Sequence, residues 1–137
     1  MKPKITVETI INAPIDKIWK YWNEPEHITK WAHASDDWHA PRATNDLVVG
    51  GKSNIRMEST DGVHGFDLIG EYTAITEHKL IEYTLEDGRT VEIHFNPVEG
   101  GYRVTEIFEA ESENSLDMQK SGWQAILDNF KKHVLEA

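Results

Sequence analysis

The chain has 137 residues, 39% hydrophobic and 28% charged, which fits one globular domain over residues 1–137 with a sizeable core. Its formal net charge of −10 argues against binding nucleic acid or an anionic membrane through bulk electrostatics. It has no cysteine, which excludes disulfides, thiolate metal sites and a cysteine nucleophile.

Taken in order, Met1-Lys2-Pro3-Lys4 leads straight into a strand-like run. With no apolar h-region, no signal peptide is expected, and the location read from the sequence is cytoplasmic. No stretch approaches the eighteen or so apolar residues of a membrane span. Ile5 to Ile11 is β-branched and reads as a strand that stops at Asn12-Ala13-Pro14. Pro14 suits a first helical position, and Ile15, Ile18, Trp19 and Trp22 then mark one face of a short helix. A second short helix restarts at Asn23 and Pro25, carries Ile28 and ends near Trp31. Residues 32–49 are irregular, with Pro41, Asn45 and Asp46 as turn formers, and read as a long functional loop that can form a lid.

Gly50-Gly51 ends that loop with a tight turn. Five strand-like runs follow: Lys52 to Ser59, Val63 to Thr76 with a bend near Gly70, Leu80 to Leu85, Thr90 to Pro97 and Tyr102 to Ala110. Asp61-Gly62, Asp87-Gly88 and Glu99-Gly100-Gly101 are the turns between them. Asn114 or Ser115 then caps a long helix whose buried stripe reads Leu116, Gln119, Trp123, Ile126, Leu127, Phe130 and Val134. Strands in a run, closed by a helix, indicate the α+β class: a curved antiparallel sheet of about six or seven strands around a long C-terminal helix, with two short helices after the first strand.

Alternation assigns an apolar face to Ile55, Met57, Phe66, Leu68, Ile81, Tyr83, Leu85, Val91, Ile93, Phe95, Tyr102, Val104 and Phe108. Arg56, Glu58, Asp67, Glu92, His94, Arg103 and Thr105 take the other face. One helix, about 10–12 Å across, cannot cover six strands spaced about 4.8 Å apart. A gap lined by Met57, Phe66, Leu68, Tyr83, Phe95, Trp123 and Ile126 would suit a hydrophobic ligand. The plainer alternative is that these side chains pack together and fill the space. Two residues favour a gap. Gly122 costs its helix about 1 kcal/mol relative to alanine, so something approaches it closely or needs room there. Glu106 falls on the apolar face by strict alternation, and unless a bulge turns it outward it needs a polar partner.

These residues also carry a likeness. Asn12-Ala13-Pro14-Ile15-Asp16-Lys17-Ile18-Trp19 resembles the "AP-x-x-x-[IV]-W" opening of the START-like (SRPBCC, helix-grip) superfamily, and Trp31 fits the tryptophan after its second short helix. Asp46-Leu47-Val48-Val49-Gly50-Gly51-Lys52 resembles its "D-L-x-x-G-G" element. Gly70-Glu71-Tyr72-Thr73-Ala74-Ile75 followed by Leu80-Ile81-Glu82-Tyr83-Thr84 resembles its core. Gln119-Lys120-Ser121-Gly122-Trp123 with Leu127 resembles its closing "Q-x-x-G-W-x-x-x-L" helix. The ordered set is similar to one branch, the bacterial and archaeal homologues of the C-terminal domain of the activator of the ninety-kilodalton heat-shock protein ATPase. The resemblance implies a sheet of seven elements or close to it, gripping the final helix with a cavity between. The superfamily includes lipid carriers, hormone and pollen-allergen binders, polyketide cyclases and aromatases, and the heat-shock co-chaperone, so fold likeness alone does not choose among them. The separate N-terminal domain with which the eukaryotic activator engages its chaperone is not expected in this chain.

Three functions follow as expectations. The first is binding of a small apolar, aromatic or lipid-like ligand by Trp31, Trp38, Met57, Phe66, Leu68, Tyr83, Phe95, Glu106, Gly122, Trp123 and Ile126, with Trp31 and Trp38 closing the mouth. The second is a chaperone-ATPase-activator-like interaction module. The third is a small cyclase or aromatase, for which Glu106, Tyr83 and His64 are the acid–base candidates. His27, His33 and His39, with Asp36 and Asp37, match no compact metal motif, and neither a metal nor a cofactor is expected. Gly50-Gly51 is not a phosphate-binding loop, and no nucleophile elbow is present.

Overall fold

The structure is a computed structural model that describes residues 2–136. β1 (Lys4–Ile11) alternates as its sequence dictates, burying Ile5, Val7 and Ile11 and exposing Lys4, Thr6 and Glu8. α1 (Ile15–Asn23) follows Pro14, which lies just outside the helix with ψ 146° and not at the first helical position that the sequence suggested. Pro25 does take such a position, opening α2 (Pro25–Trp31). The two helices bury Ile18, Trp19, Ile28 and Trp31.

β2 (Trp38–Asn45) corrects the reading of residues 32–49 as a loop and lid. It is an edge strand, antiparallel to β3 (Lys52–Ser59), and its register slips between His39 and Arg42. That slip spans Ala40 and Pro41. Proline has no N–H to donate and is tolerated on an edge strand at a bulge. The bulge also breaks the two-residue period by which strands are read, which is why sequence alternation missed this one.

β4 (Gly65–Thr76), β5 (Leu80–Leu85), β6 (Thr90–Val98) and β7 (Gly101–Glu109) complete a seven-stranded sheet in the order β1-β7-β6-β5-β4-β3-β2, antiparallel throughout. β4 bends where its register slips between Tyr72 and Ala74, close to the expected place. α3 (Leu116–Glu136) is the gripped helix. Its N-cap is Ser115, whose Oγ accepts from the Met118 backbone N–H at 3.1 Å. The architecture is the expected α+β helix-grip.

α3 buries Gln119, Leu127, Phe130 and Val134. Leu116, placed on the same stripe from sequence, is instead 49% exposed at the helix start. Phe130 meets the rings of Trp22 and Trp31 at 4.8 and 5.0 Å between centroids, joining α3 to α1 and α2. Among the strands, α3 packs its backbone most closely against β1. Among the described residues no helix is long and apolar enough to cross a membrane.

Gln119 fixes where α3 begins. Its Nε2 donates to the carbonyls of Glu111 and Asn114 at 3.1 and 2.9 Å, and its Oε1 accepts from the Glu111 N–H at 2.9 Å. Each such bond contributes about 1 kcal/mol, and a buried group left unpaired costs more. We expect Gln119→Leu to lower the unfolding free energy by about 2–4 kcal/mol, read from urea midpoints at constant m-value. A loss below about 0.5 kcal/mol would show that the clamp is not needed.

Candidate functional site

A cavity of about 360 Å³ lies between α3 and the sheet. Its walls come from the sheet, all three helices and the segments that join them. The sheet contributes Ile55 and Met57 from β3, Phe66, Leu68, Gly70 and Tyr72 from β4, and Ile81, Tyr83 and Leu85 from β5. α3 contributes Met118, Gln119, Gly122, Trp123 and Ile126, while Trp22, Ile28 and Trp31 close one end. Phe66 is 47% exposed and Met118 63%, so the opening lies between the β3–β4 side and the start of α3.

Two glycines shape the space. A Cβ on Gly122 would meet nothing within 4 Å, so this helical glycine leaves room and does not admit a close neighbour. A Cβ on Gly70 would come within 2.5 Å of Tyr83 Cδ2, so its absence lets the Tyr83 ring lie across β4. Trp123 is held by a parallel stack on Phe108, 3.8 Å between centroids with 11° between planes.

The polar groups of the walls divide into two kinds. Most are partnered within the protein. Tyr72 Oη donates to Asn45 Oδ1 at 2.6 Å, Asn45 Nδ2 donates to the Asn23 carbonyl at 2.7 Å, and Asn23 Nδ2 donates to the Trp19 carbonyl at 2.9 Å. Arg89, beyond β5, sends its Nε to Asp87 Oδ2 at 2.7 Å. Glu106 is different. The ladders on both sides of it run without a slip, pairing it with Val7 and Ile93, so no bulge turns it outward. It is 4% exposed, and no described residue hydrogen-bonds its carboxyl. Burial pushes that carboxyl up to about 8. The Tyr83 hydroxyl also lacks a hydrogen bond from the described residues, and burial, with the nearby Glu106 charge second, pushes it upward.

Of the residues chosen from sequence, Trp31, Met57, Phe66, Leu68, Tyr83, Glu106, Gly122, Trp123 and Ile126 line this cavity. Phe95 does not. It is 1% exposed and packs under Trp19 and Trp22, because its strand lies behind α1. Trp38 stands behind the wall against Phe66, 6.0 Å between centroids. His64 is exposed on the β3–β4 hairpin, its backbone N–H donating to Ser59 Oγ at 2.9 Å, away from the other acid–base candidates. Sequence reasoning missed Trp22, Tyr72 and Arg89. Trp22 was legible on the α1 stripe, and Tyr72 shares the side of Gly70 by alternation. Arg89 follows a turn and carried no periodic signal.

The histidines also sort differently. His27 Nδ1 lies 2.9 Å from His133 Nε2 and its ring stacks on Tyr21, while His39 lies near Glu58. Among the described residues, Glu24, Glu26 and His27 form one group able to offer three metal-ligand atoms within 4.8 Å of one another; none of them lines the cavity.

A sheet curled about one long helix, with an apolar chamber between them, defines a protein of the START-like type. The chain belongs to the family described as activator of Hsp90 ATPase homolog 1-like proteins, whose model matches residues 12–135. It is similar to the solution structure of an AHSA1-like protein from Aeromonas hydrophila, at 40% identity and TM-score 0.90 over 97% of this chain and 92% of that one. It is also similar to the solution structure of Chr148 from Cytophaga hutchinsonii, at 48% identity and TM-score 0.84 over 95% and 90%. The fold alone is shared with protein NE0264 from Nitrosomonas europaea, at 18% identity and TM-score 0.82 over 97% and 94%. No curated protein matches the chain.

The Glu106 carboxyl links stability to pH. Its ordinary value is 4.5 and its folded value about 8. Below pH 4.5 both folded and unfolded states hold the proton. Between the two values only the folded state does, so stability falls as pH rises through that window and levels off above it. We expect the unfolding free energy of wild type, relative to Glu106→Gln, to fall between pH 5 and 8 with a slope of at most about 1.4 kcal/mol per pH unit. Parallel pH profiles for the two proteins would remove the carboxyl as the cause.

Proposed function

We propose that this chain binds a small apolar ligand in the chamber between α3 and the sheet, without catalysing its conversion. The observation that carries this reading is the open, mostly apolar space faced by Gly122. An apolar cavity of about 150 Å³ takes one benzene. A chamber of about 360 Å³ therefore has room for two fused rings and a substituent. A core residue selected only for packing would fill that space, since voids cost stability in proportion to their volume. Aromatic walls at Trp22, Trp31, Tyr83 and Trp123 suit a ligand with rings.

The test is a titration of the purified chain with neutral hydrophobic compounds, naphthalene derivatives among them, followed by backbone amide shifts. Saturable shifts are expected along α3 from Met118 to Ile126 and along β3 to β5. Gly122→Leu should weaken binding by more than tenfold because its side chain enters the chamber. Gly122→Ala should raise stability by about 1 kcal/mol through helix propensity alone. Absence of any saturable shift in those segments, or equal affinity in the leucine variant, would overturn the reading.

A further inference from the structure

Taking the chamber as a ligand site, the two polar side chains that line it without a hydrogen-bond partner among the described residues specify what the ligand must offer. Glu106 is 4% exposed, lies between Val7 and Ile93 in the ladder, and takes no hydrogen bond from any described residue. A carboxyl in such a place is costly unless something pairs with it. The Tyr83 hydroxyl, near enough to respond to its charge, is unpaired as well. Every other polar group compared above already has a protein partner, so a ligand's polar atom finds these two free.

We infer that the ligand is an uncharged apolar molecule carrying one hydrogen-bond-accepting oxygen, a ketone or aldehyde carbonyl for instance, which the Glu106 carboxyl and the Tyr83 hydroxyl grip as donors. The Glu106 carboxyl, pushed up to about 8 by burial, keeps its proton at neutral pH and can donate it to a hydrogen bond. A ligand carboxylate placed there would set a negative charge beside an acid that must then stay neutral. The titratable and charged groups that share the chamber with Glu106 are Tyr83 on β5, Tyr72 on β4, Arg89 beyond β5 and Glu111 after β7. Toward it α3 presents only neutral side chains, as do α1 and α2. Arg89 is the rival: its side chain is 16% exposed, and it is the group that would favour an anion.

The experiment compares three probes of one shape, naphthalene, 2-acetylnaphthalene and 2-naphthoate, titrated against wild type, Glu106→Leu and Tyr83→Phe between pH 6 and 9.5. Binding is read by calorimetry and by quenching of tryptophan emission. For wild type at pH 7, the ketone should bind at least tenfold more tightly than the hydrocarbon or the carboxylate. That preference should fall as pH rises through 8, where the donor is lost. In Glu106→Leu the ketone should bind about tenfold more weakly, and its advantage over naphthalene should vanish; Leu is close to the size of the side chain it replaces and removes a buried acid, so folding is retained. Tyr83→Phe should weaken ketone binding severalfold without moving the pH midpoint. Equal affinity for naphthalene and the ketone overturns the inference and leaves the chamber a site for purely apolar molecules. Tighter binding of 2-naphthoate overturns it in favour of Arg89. Failure of all three probes to bind wild type overturns the ligand reading of the chamber and this inference with it.

Discussion

Six inter-strand spacings of about 4.8 Å make a seven-stranded sheet about 29 Å wide, while one helix with its side chains is about 10–12 Å across. That disparity governs the rest of this molecule. α3 cannot cover the sheet, and it settles toward β1, where Leu127, Phe130 and Val134 join Ile5, Val7 and Ile11 in the buried core. The face of β3, β4 and β5 is then left for other elements to close. α1 and α2 close part of it from one end, through the Trp22, Trp31 and Phe130 rings. What they do not reach is the chamber.

Sheet curvature and side-chain choice could have shut that chamber, and the residues present do the reverse. On the face of α3 that lines it the sequence places Gly122, accepting a weaker helix in exchange for open space. The neighbouring Trp123 is turned back onto Phe108 in a parallel stack. Gly70 lets Tyr83 lie down over β4 where a Cβ would push it into the space. The Gln119 clamp sets the register of α3 relative to the end of β7, so that Gly122, one turn later, meets the chamber and not the rim.

Much of this was legible in the residues because its physics is local. β1 and β5 to β7 follow a two-residue period of burial, and the two short helices and α3 follow a helical one, so their order alone forced the α+β reading. β2 was illegible for an equally physical reason. Its bulge at Ala40-Pro41 shifts the alternation by one residue, and as an edge strand it buries little, leaving Trp38 and Ala40 as isolated signals among polar neighbours. Phe95 shows the other limit. Alternation correctly puts it on the inner face, but which part of that face lies under α1 and which under open space depends on where α1 lands, and no periodicity within a strand encodes that. Glu106 was legible up to one ambiguity, a bulge, that only the unbroken ladder from Val104 to Phe108 resolves.

The placement of Glu106 also separates two accounts of the chamber that its volume alone does not. If the space were a packing defect, its lining would be apolar, since a dry void costs less with no polar group in it. A carboxyl buried without a partner costs stability at neutral pH, by the same desolvation that raises its affinity for the proton. Leucine or methionine at this position would remove that cost and narrow the void. The other polar groups nearby are satisfied: Tyr72, Asn45 and Asn23 pass hydrogen bonds in series from β4 to α1, and the Gln119 amide bonds three backbone groups. Against that background the single unpaired acid lines the same chamber as Gly122, Gly70 and Tyr83. A group that weakens the folded chain by itself and gains its partner from outside is what a binding site for a neutral, oxygen-bearing apolar molecule requires.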